Sequence, residues 1–405
     1  MALQSRDIHE VIRSYLKSND FEIISCEGAD LDGICTGFLS AQDKARIRFK
    51  TSRGEDELHV FMKTLPDAAY HRENILAMGS FHREVVLFNE VLNKYHDYLK
   101  DNSIPACYLA RSEGLMVMED LLKKGFKNKP LRETLDLEHC KKTIETLAKF
   151  HALSFIMEKK EGRKMTEIVP VIKTEMIMSK DENHVGRKGA LAQIRCMKRV
   201  TEKYLTHVPT KVVEKAVYYL DNLFDEMKSS KLYPNVLSHA DLWANNIMFS
   251  YDDQGNVKEA CIFDFQLATY KAPGYDIQQF LHCCTDNDLR ERHFGNLMRL
   301  YYNVLSRMLK SAAIDVDDIM NWEDFENMLK ETQPTAVATA CMFLICVLVP
   351  EDILKDVMSS DEKYKEYYEG NREQYILEAM EKDMEFKRRI IQSVTNFINL
   401  FDTDE

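Results

Sequence analysis

Residues 236–251 read VLSHADLWANNIMFSY, which gathers His239, Asp241, Asn245 and Asn246 within eight positions, and Asp264 follows 18 residues after Asn246 in the run Ile262-Phe263-Asp264-Phe265. An amide oxygen and a carboxylate oxygen are hard donors that suit Mg²⁺, an ion that keeps waters and substrate phosphates in its remaining positions. A loop Asp placed five residues before such an Asn matches phosphoryl transfer, where the Asp takes the proton of the attacking hydroxyl while the Asn and a second Asp hold the metal. On that pattern Asp241 is the base, and Asn246 and Asp264 are the metal ligands. Asn245 stands one position short and reads as a bystander; His239 reads as a buried scaffold histidine.

Triphosphate chemistry makes further demands, because the phosphate oxygens need a fixed cation and the cation needs an orienting carboxylate. In ELHVFMK (57–63) Leu58, Val60 and Met62 alternate onto one face of a strand, so Lys63 projects from the other. Glu84 lies 21 residues on, at the edge of the helical stripe Phe81, Val85, Phe88, Leu92, where a half-buried carboxylate wants a partner. Gly28 and Gly33, in GADLDGICTG, are candidates for a turn over the phosphates, although the spacing is not GxGxxG. The strand of GLMVMEDLL ends where backbone groups of Glu119 and Leu121 would meet an adenine edge. Asp276, in PGYDIQQ, reads as a helix N-cap with Gln279 completing a capping box, and bracing of the catalytic loop is its second candidate duty. His151 reads as a packing residue.

These residues need elements to hold them. Residues 21–65 are short and β-like with glycine breaks, 68–95 read as one long helical stretch, and two more apolar runs follow at 106–110 and 114–119. From 135 onward the period is helical except between 246 and 264, where IMFSY, DDQGN and VKEACIF spell a hairpin that returns Asp264 to the end of the strands where Asn246 lies. The expectation is an α+β, bilobal, protein-kinase-like fold: residues 1–120 as a small nucleotide-binding lobe of antiparallel sheet plus helix, and 121–405 as a larger, mainly helical lobe for catalysis and the acceptor.

Bulk properties narrow the partners. A formal net charge of −12 over 405 residues disfavours nucleic acid or an anionic membrane as the main partner, since both need a concentrated basic face. The ten cysteines form no CxxC pair, which reads as reduced thiols in a cytoplasmic protein. The charged N-terminus lacks the apolar core of a secretory signal. The apolar segment 336–349, bounded by Gln333-Pro334 and Pro350, is too short to cross a bilayer and reads as a buried helix.

HADLWANNIMF with CIFDFQLATY, preceded by VFMKTLP, FHREVVLFNEVL and VMEDL, resembles the ecdysteroid kinase-like (CHK kinase-like) family of insects, relatives of choline kinases and aminoglycoside phosphotransferases. The resemblance spans residues 28–281. It implies transfer of the ATP γ-phosphate, with Mg²⁺, to a hydroxyl of a small molecule, in some members a steroid. It implies the same roles: Asp241 as base, Asn246 and Asp264 on magnesium, Lys63 and Glu84 at the phosphates, and Glu119 with Leu121 at the adenine. Ala240 stands where relatives often have Gly, and the loop after Gly28 lacks their usual character. A protein kinase fits less well, since 11 residues between Asp264 and Asp276 leave little chain for a peptide-docking segment. A choline- or aminoglycoside-type kinase and a nucleotide-binding pseudoenzyme acting as an interaction module are the alternatives.

Overall fold

In the computed structural model, residues 3–29, 40–67 and 69–402 are described. They divide into two compact units, one of Met1–Lys129 with Asn245–Gln266 and one of Pro130–Ala244 with Leu267–Glu405. The first is a small sheet with helices and the second is mainly helical, so the α+β class expected from the sequence is the one observed.

In the first unit β1 (Glu22–Ala29), β2 (Ala41–Thr51), β3 (Gly54–Thr64), β4 (Cys107–Arg111) and β5 (Leu115–Glu119) form an antiparallel sheet in the order β1-β2-β3-β5-β4. Alternation gives β2 and β3 two different faces. Ala45, Ile47, Phe49, Leu58, Val60 and Met62 point to one side and are buried together with Ile8, Val11 and Ile12 of the helix Ser5–Leu16. Burying such a side chain is worth about 1.5–3 kcal/mol, against a few tenths per residue for helix preference. Packing therefore fixes this helix. The opposite face carries Gln42 across from Lys63, and Lys44 across from Phe61.

The helical stretch expected over 68–95 is broken. Helices Ala69–Met78 and Ser80–Leu87 are separated by Gly79 at φ 78°, and a π turn, Phe88–Leu92, follows. Gly79 adopts the left-handed conformation that ends a helix, which the apolar period on either side does not reveal. The expected hairpin is present as β7 (Ile247–Tyr251) and β8 (Val257–Ile262), with Ile247 opposite Ile262. Asp252 closes its turn, with Oδ1 accepting from the N–H groups of Gln254 and Asn256.

The second unit is built from helices including Leu137–Glu161, Val185–Tyr204, Gly274–Cys284, Asn287–Ser311 and Trp322–Val347, with β6 (Val236–Ser238) paired to β9 (Thr269–Lys271). The helix expected to begin after Pro334 begins at Trp322 and runs through that proline. A Cβ at Gly274 would lie 2.3 Å from Thr332 Oγ1 and 2.6 Å from Met328 Sδ, so glycine there lets the helix Gly274–Cys284 lie against Trp322–Val347. No single helix among the described residues is long and apolar enough to cross a membrane.

Candidate active site

The strand face of β3 that points away from the apolar core delivers Lys63 to two carboxylates. Its Nζ lies 2.5 Å from Glu84 Oε2, on the helix Ser80–Leu87, and 2.7 Å from Asp264 Oδ1, two residues past the end of β8. Gln266 Oε1 is a third acceptor at 3.5 Å. Glu84 Oε1 also receives the Phe265 N–H at 3.0 Å, so one side chain fixes both the lysine and the turn after Asp264. Burial works against charge on Lys63, but Asp264 and Glu84 outweigh it and hold the ammonium above the usual lysine range. Asp264 has φ 68°, a left-handed value that Asp tolerates better than bulky residues and that turns the chain sharply at the carboxylate. Asn246 lies at the same end of the hairpin, its carbonyl accepting the Phe263 N–H at 3.1 Å.

Lys63, Glu84, Glu119, Leu121 and Asp264 all line one cleft of about 710 Å³ in this unit. Phe61, Met118, Met248 and Phe263 supply apolar walls, as a purine site requires. Three polar residues that the sequence does not single out also line the cleft, Gln42, Lys44 and Asn128, together with Asp120 between Glu119 and Leu121. Lys44 Nζ lies 3.7 Å from Asp120 Oδ2, with both side chains buried. Asn128 Nδ2 donates to the carbonyls of Asn245 and Ile247 at 3.0 and 3.1 Å, pinning the start of β7. The alternation of DKARIRF, with Ala45, Ile47 and Phe49 inward, was the available signal that Lys44 and Gln42 share a face with Lys63. Asn245, read as a bystander, lines the cleft, and its buried Oδ1 has no hydrogen-bond partner among the described residues. Gly28 pairs with Ala45 at the end of β1 and is not among the residues lining the cleft, and Gly33 lies outside the described residues.

In the second unit the loop after β6 carries His239 and Asp241. Asp276 lies inside the helix Gly274–Cys284 and makes no cap; Pro273 holds the cap position. The carboxylate instead receives Ser238 Oγ at 2.7 Å, the His239 N–H at 2.7 Å, the Ala240 N–H at 2.9 Å and His151 Nε2 at 3.0 Å. Its hydrogen bonds therefore run to the backbone of the loop after β6, to Ser238 and to His151, and it does not cap the helix. Gln279 takes the same side: its Oε1 accepts from the Leu242 N–H and its Nε2 donates to the Ala240 carbonyl. His151 is more than packing, since its Nδ1 shares a hydrogen bond with the Tyr301 hydroxyl at 2.7 Å while Nε2 faces Asp276. Burial opposes ionisation of Asp276, but the hydrogen bond and charge of His151, with His239 and Ser238, hold it below the usual carboxylate range. Ala240 has φ 60°, and Asp241 follows it with its N–H 3.3 Å from His239 Nδ1. A loop held at four successive backbone N–H groups, from His239 to Leu242, presents its side chains in one orientation.

A lysine on the third strand, paired to a helix glutamate and to an aspartate after a hairpin, is an arrangement compatible with kinase-type phosphoryl transfer. The family comparison agrees: the sequence profile of the ecdysteroid kinase-like family matches residues 35–314. The chain belongs to that family. It is a phosphotransferase of the kinase-like, small-molecule class. Similar solved structures include APH(2")-IIia with GDP and kanamycin, at 12% identity over 94% of this chain and 99% of that one, TM-score 0.41. A choline/ethanolamine kinase family protein from Mesorhizobium loti is 12% identical over 91% and 92%, TM-score 0.36. A microcompartment-associated aminopropanol kinase is 10% identical over 95% and 99%, TM-score 0.31. No functionally curated protein matches the chain significantly.

Proposed function

We propose that this family member uses ATP with Mg²⁺ to phosphorylate a hydroxyl of a small, largely apolar alcohol, such as an ecdysteroid or a plant-derived xenobiotic, in the cytoplasm. The observation that carries the reading is the buried Lys63 held between Glu84 and Asp264 on the wall of an apolar cleft. A structural ion pair needs one carboxylate; two carboxylates around one ammonium leave oxygen capacity for a cation, and anionic phosphates would complete the charge balance.

The donor set fits magnesium. Asp264 keeps its carboxylate 19% exposed, and Asn246 adds an amide oxygen donor at the same end of the hairpin. Bound there, the ion would neutralise charge on the β- and γ-phosphates. Lys63 supplies the fixed protein cation for the same oxygens, Glu84 orients it, and Glu119 and Leu121 offer backbone groups to the adenine. Asp241 accepts the proton of the acceptor hydroxyl as that oxygen bonds to the γ-phosphorus and the bond to the ADP oxygen breaks. His239 and Asp276 position the loop. Nine cysteines among the described residues are free thiols, which supports a reducing compartment.

The test is incubation with labelled ATP and a panel of ecdysteroids, choline and plant glycosides, with mass detection of phospho-products. An apolar alcohol is expected to be phosphorylated, and Asp241→Asn to lower turnover by about 10²–10⁴-fold through loss of the general base. Undiminished turnover in that variant removes Asp241 from the role; choline as the sole substrate removes the apolar acceptor.

A further inference from the structure

The second unit contains a pocket of about 380 Å³, open space at its mouth included, that reaches Ala240, the residue before Asp241. Methionine dominates its walls, with Met176, Met178, Met227 and Met342 joined by Leu267 and Phe343. Such thioether side chains adapt their shape to an apolar guest. Gly186 places part of this wall: a Cβ there would lie 2.0 Å from the Met176 carbonyl oxygen, so only glycine lets the Met176 backbone lie against the helix Val185–Tyr204.

Four polar side chains also line the cavity, and three of them are committed elsewhere. Glu175 Oε1 is taken by Lys271 Nζ at 2.8 Å and Thr269 Oγ1 at 3.0 Å. Tyr275 O–H donates to Thr339 Oγ1 at 3.1 Å, and Thr339 Oγ1 donates to the carbonyls of Thr335 and Ala336. The fourth is Gln193, on the helix Val185–Tyr204, 9% exposed, whose buried Oε1 has no partner among the described residues. Its other end explains why the oxygen is left over. Gln193 Nε2 donates to Cys346 Sγ at 2.8 Å, and the buried guanidinium of Arg372 donates to the same sulfur at 3.0 Å. A sulfur already accepting from a guanidinium draws the N–H side of the carboxamide, and the oxygen is what remains for the cavity. An unpaired buried carbonyl oxygen costs about 1–3 kcal/mol, which a hydrogen-bond donor on a ligand would recover.

We propose that this cavity binds the apolar body of the acceptor and that Gln193 Oε1 selects acceptors carrying a hydroxyl or other N–H or O–H donor besides the one phosphorylated, with Cys346 as the positioning residue that sets the amide. The inference rests on the kinase reading only in naming the ligand an acceptor; the cavity's preference for a donor stands on its own geometry.

The probes are 2-naphthol, which has an O–H, and 2-methoxynaphthalene, which has only an acceptor oxygen, with binding to the full chain measured by calorimetry. The expected result is a preference for the naphthol of roughly tenfold, the size of one hydrogen bond to an otherwise unpaired buried acceptor. Gln193→Met, which keeps volume and flexibility, should bring the ratio to about one. Cys346→Val should lower it too, by freeing the carboxamide to turn, and Met342→Trp should abolish binding of both probes by filling the cavity. Melting curves establish that each variant is folded, and the ratio, unlike absolute affinity, is insensitive to a general loosening. Equal affinity of the native chain for the two probes, binding of neither, or an unchanged ratio in Gln193→Met each overturns the assignment. MgATP binding to the native chain is measured in parallel; its absence would remove the kinase reading and leave the naphthol ratio to stand or fall separately.

Discussion

Asp264 in the first unit follows a hairpin strand and Asp276 in the second lies in the first turn of a helix, and the surroundings of these two acidic side chains differ in kind. Asp276 is fully buried, and four donors from Ser238, His239, Ala240 and His151 fill the lone pairs of its two oxygens. Asp264 is partly exposed on a cleft wall, and it meets the Lys63 ammonium at 2.7 Å and the Gln266 amide at 3.3 Å. A saturated carboxylate cannot take a ligand; an unsaturated one in a cleft can. The first kind shapes a backbone and the second keeps lone pairs open to a further partner, a distinction that residue type alone does not make.

That contrast can be broken by experiment. The largest effect is expected at Lys63: Lys63→Met leaves Glu84 and Asp264 facing each other without a cation, and should cost about 3–5 kcal/mol in chemical denaturation. Pairing it with Glu84→Leu should recover much of that stability, because apolar replacement of a buried ion pair is often neutral, while phosphotransfer stays lost. If the double variant is as unstable as the single one, the cluster serves the fold rather than a ligand. Asp276→Asn should cost less, about 1–3 kcal/mol for each backbone N–H left unpaired at His239 or Ala240. No neighbouring apolar substitution should restore it, since the unpaired groups are backbone.

The pH dependences should have opposite signs. An unfolded Asp titrates near about 3.9, and folded Asp276 lies below the usual range, so its stabilisation is complete above that pH and is lost as pH falls through the folded value. Lys63 is raised, so its stabilisation is complete below the unfolded lysine value of about 10.4 and is lost as pH rises through the folded one. Denaturation series should therefore show an acid limb that disappears in Asp276→Asn and an alkaline limb that disappears in the Lys63→Met/Glu84→Leu pair. The smallest effect belongs to Gly79→Ala, where the left-handed φ of 78° should cost about 1 kcal/mol and loosen the helix carrying Glu84. A measurable drop in MgATP affinity would show that the orientation of Glu84, not only its charge, matters to the first site.

Much of this was legible from the amino acids. Alternation in ELHVFMK placed Lys63 opposite the core face, the turn chemistry of DDQGN returned Asp264 to the end of the hairpin beside Asn246, and the spacing of HxDxxxxN marked the loop of Asp241. These are local rules: period, turn propensity and fixed spacing act over a few residues, and each is written in the chain. What a residue faces across sequence distance is not. Asp276 read as a cap because its neighbours look like a helix start, and only packing shows that the helix begins at Gly274 and turns the carboxylate onto β6 and its loop. His151, 125 residues from Asp276, could not announce its hydrogen bond. The break at Gly79, the buried Lys44 and Asp120 pair, and the unpaired oxygens of Asn245 and Gln193 have the same character. Whether a polar group is satisfied depends on every element packed around it, so the sequence by itself determined which strands, turns and reactive residues exist. Tertiary structure decided which of those residues were left with something still to bind.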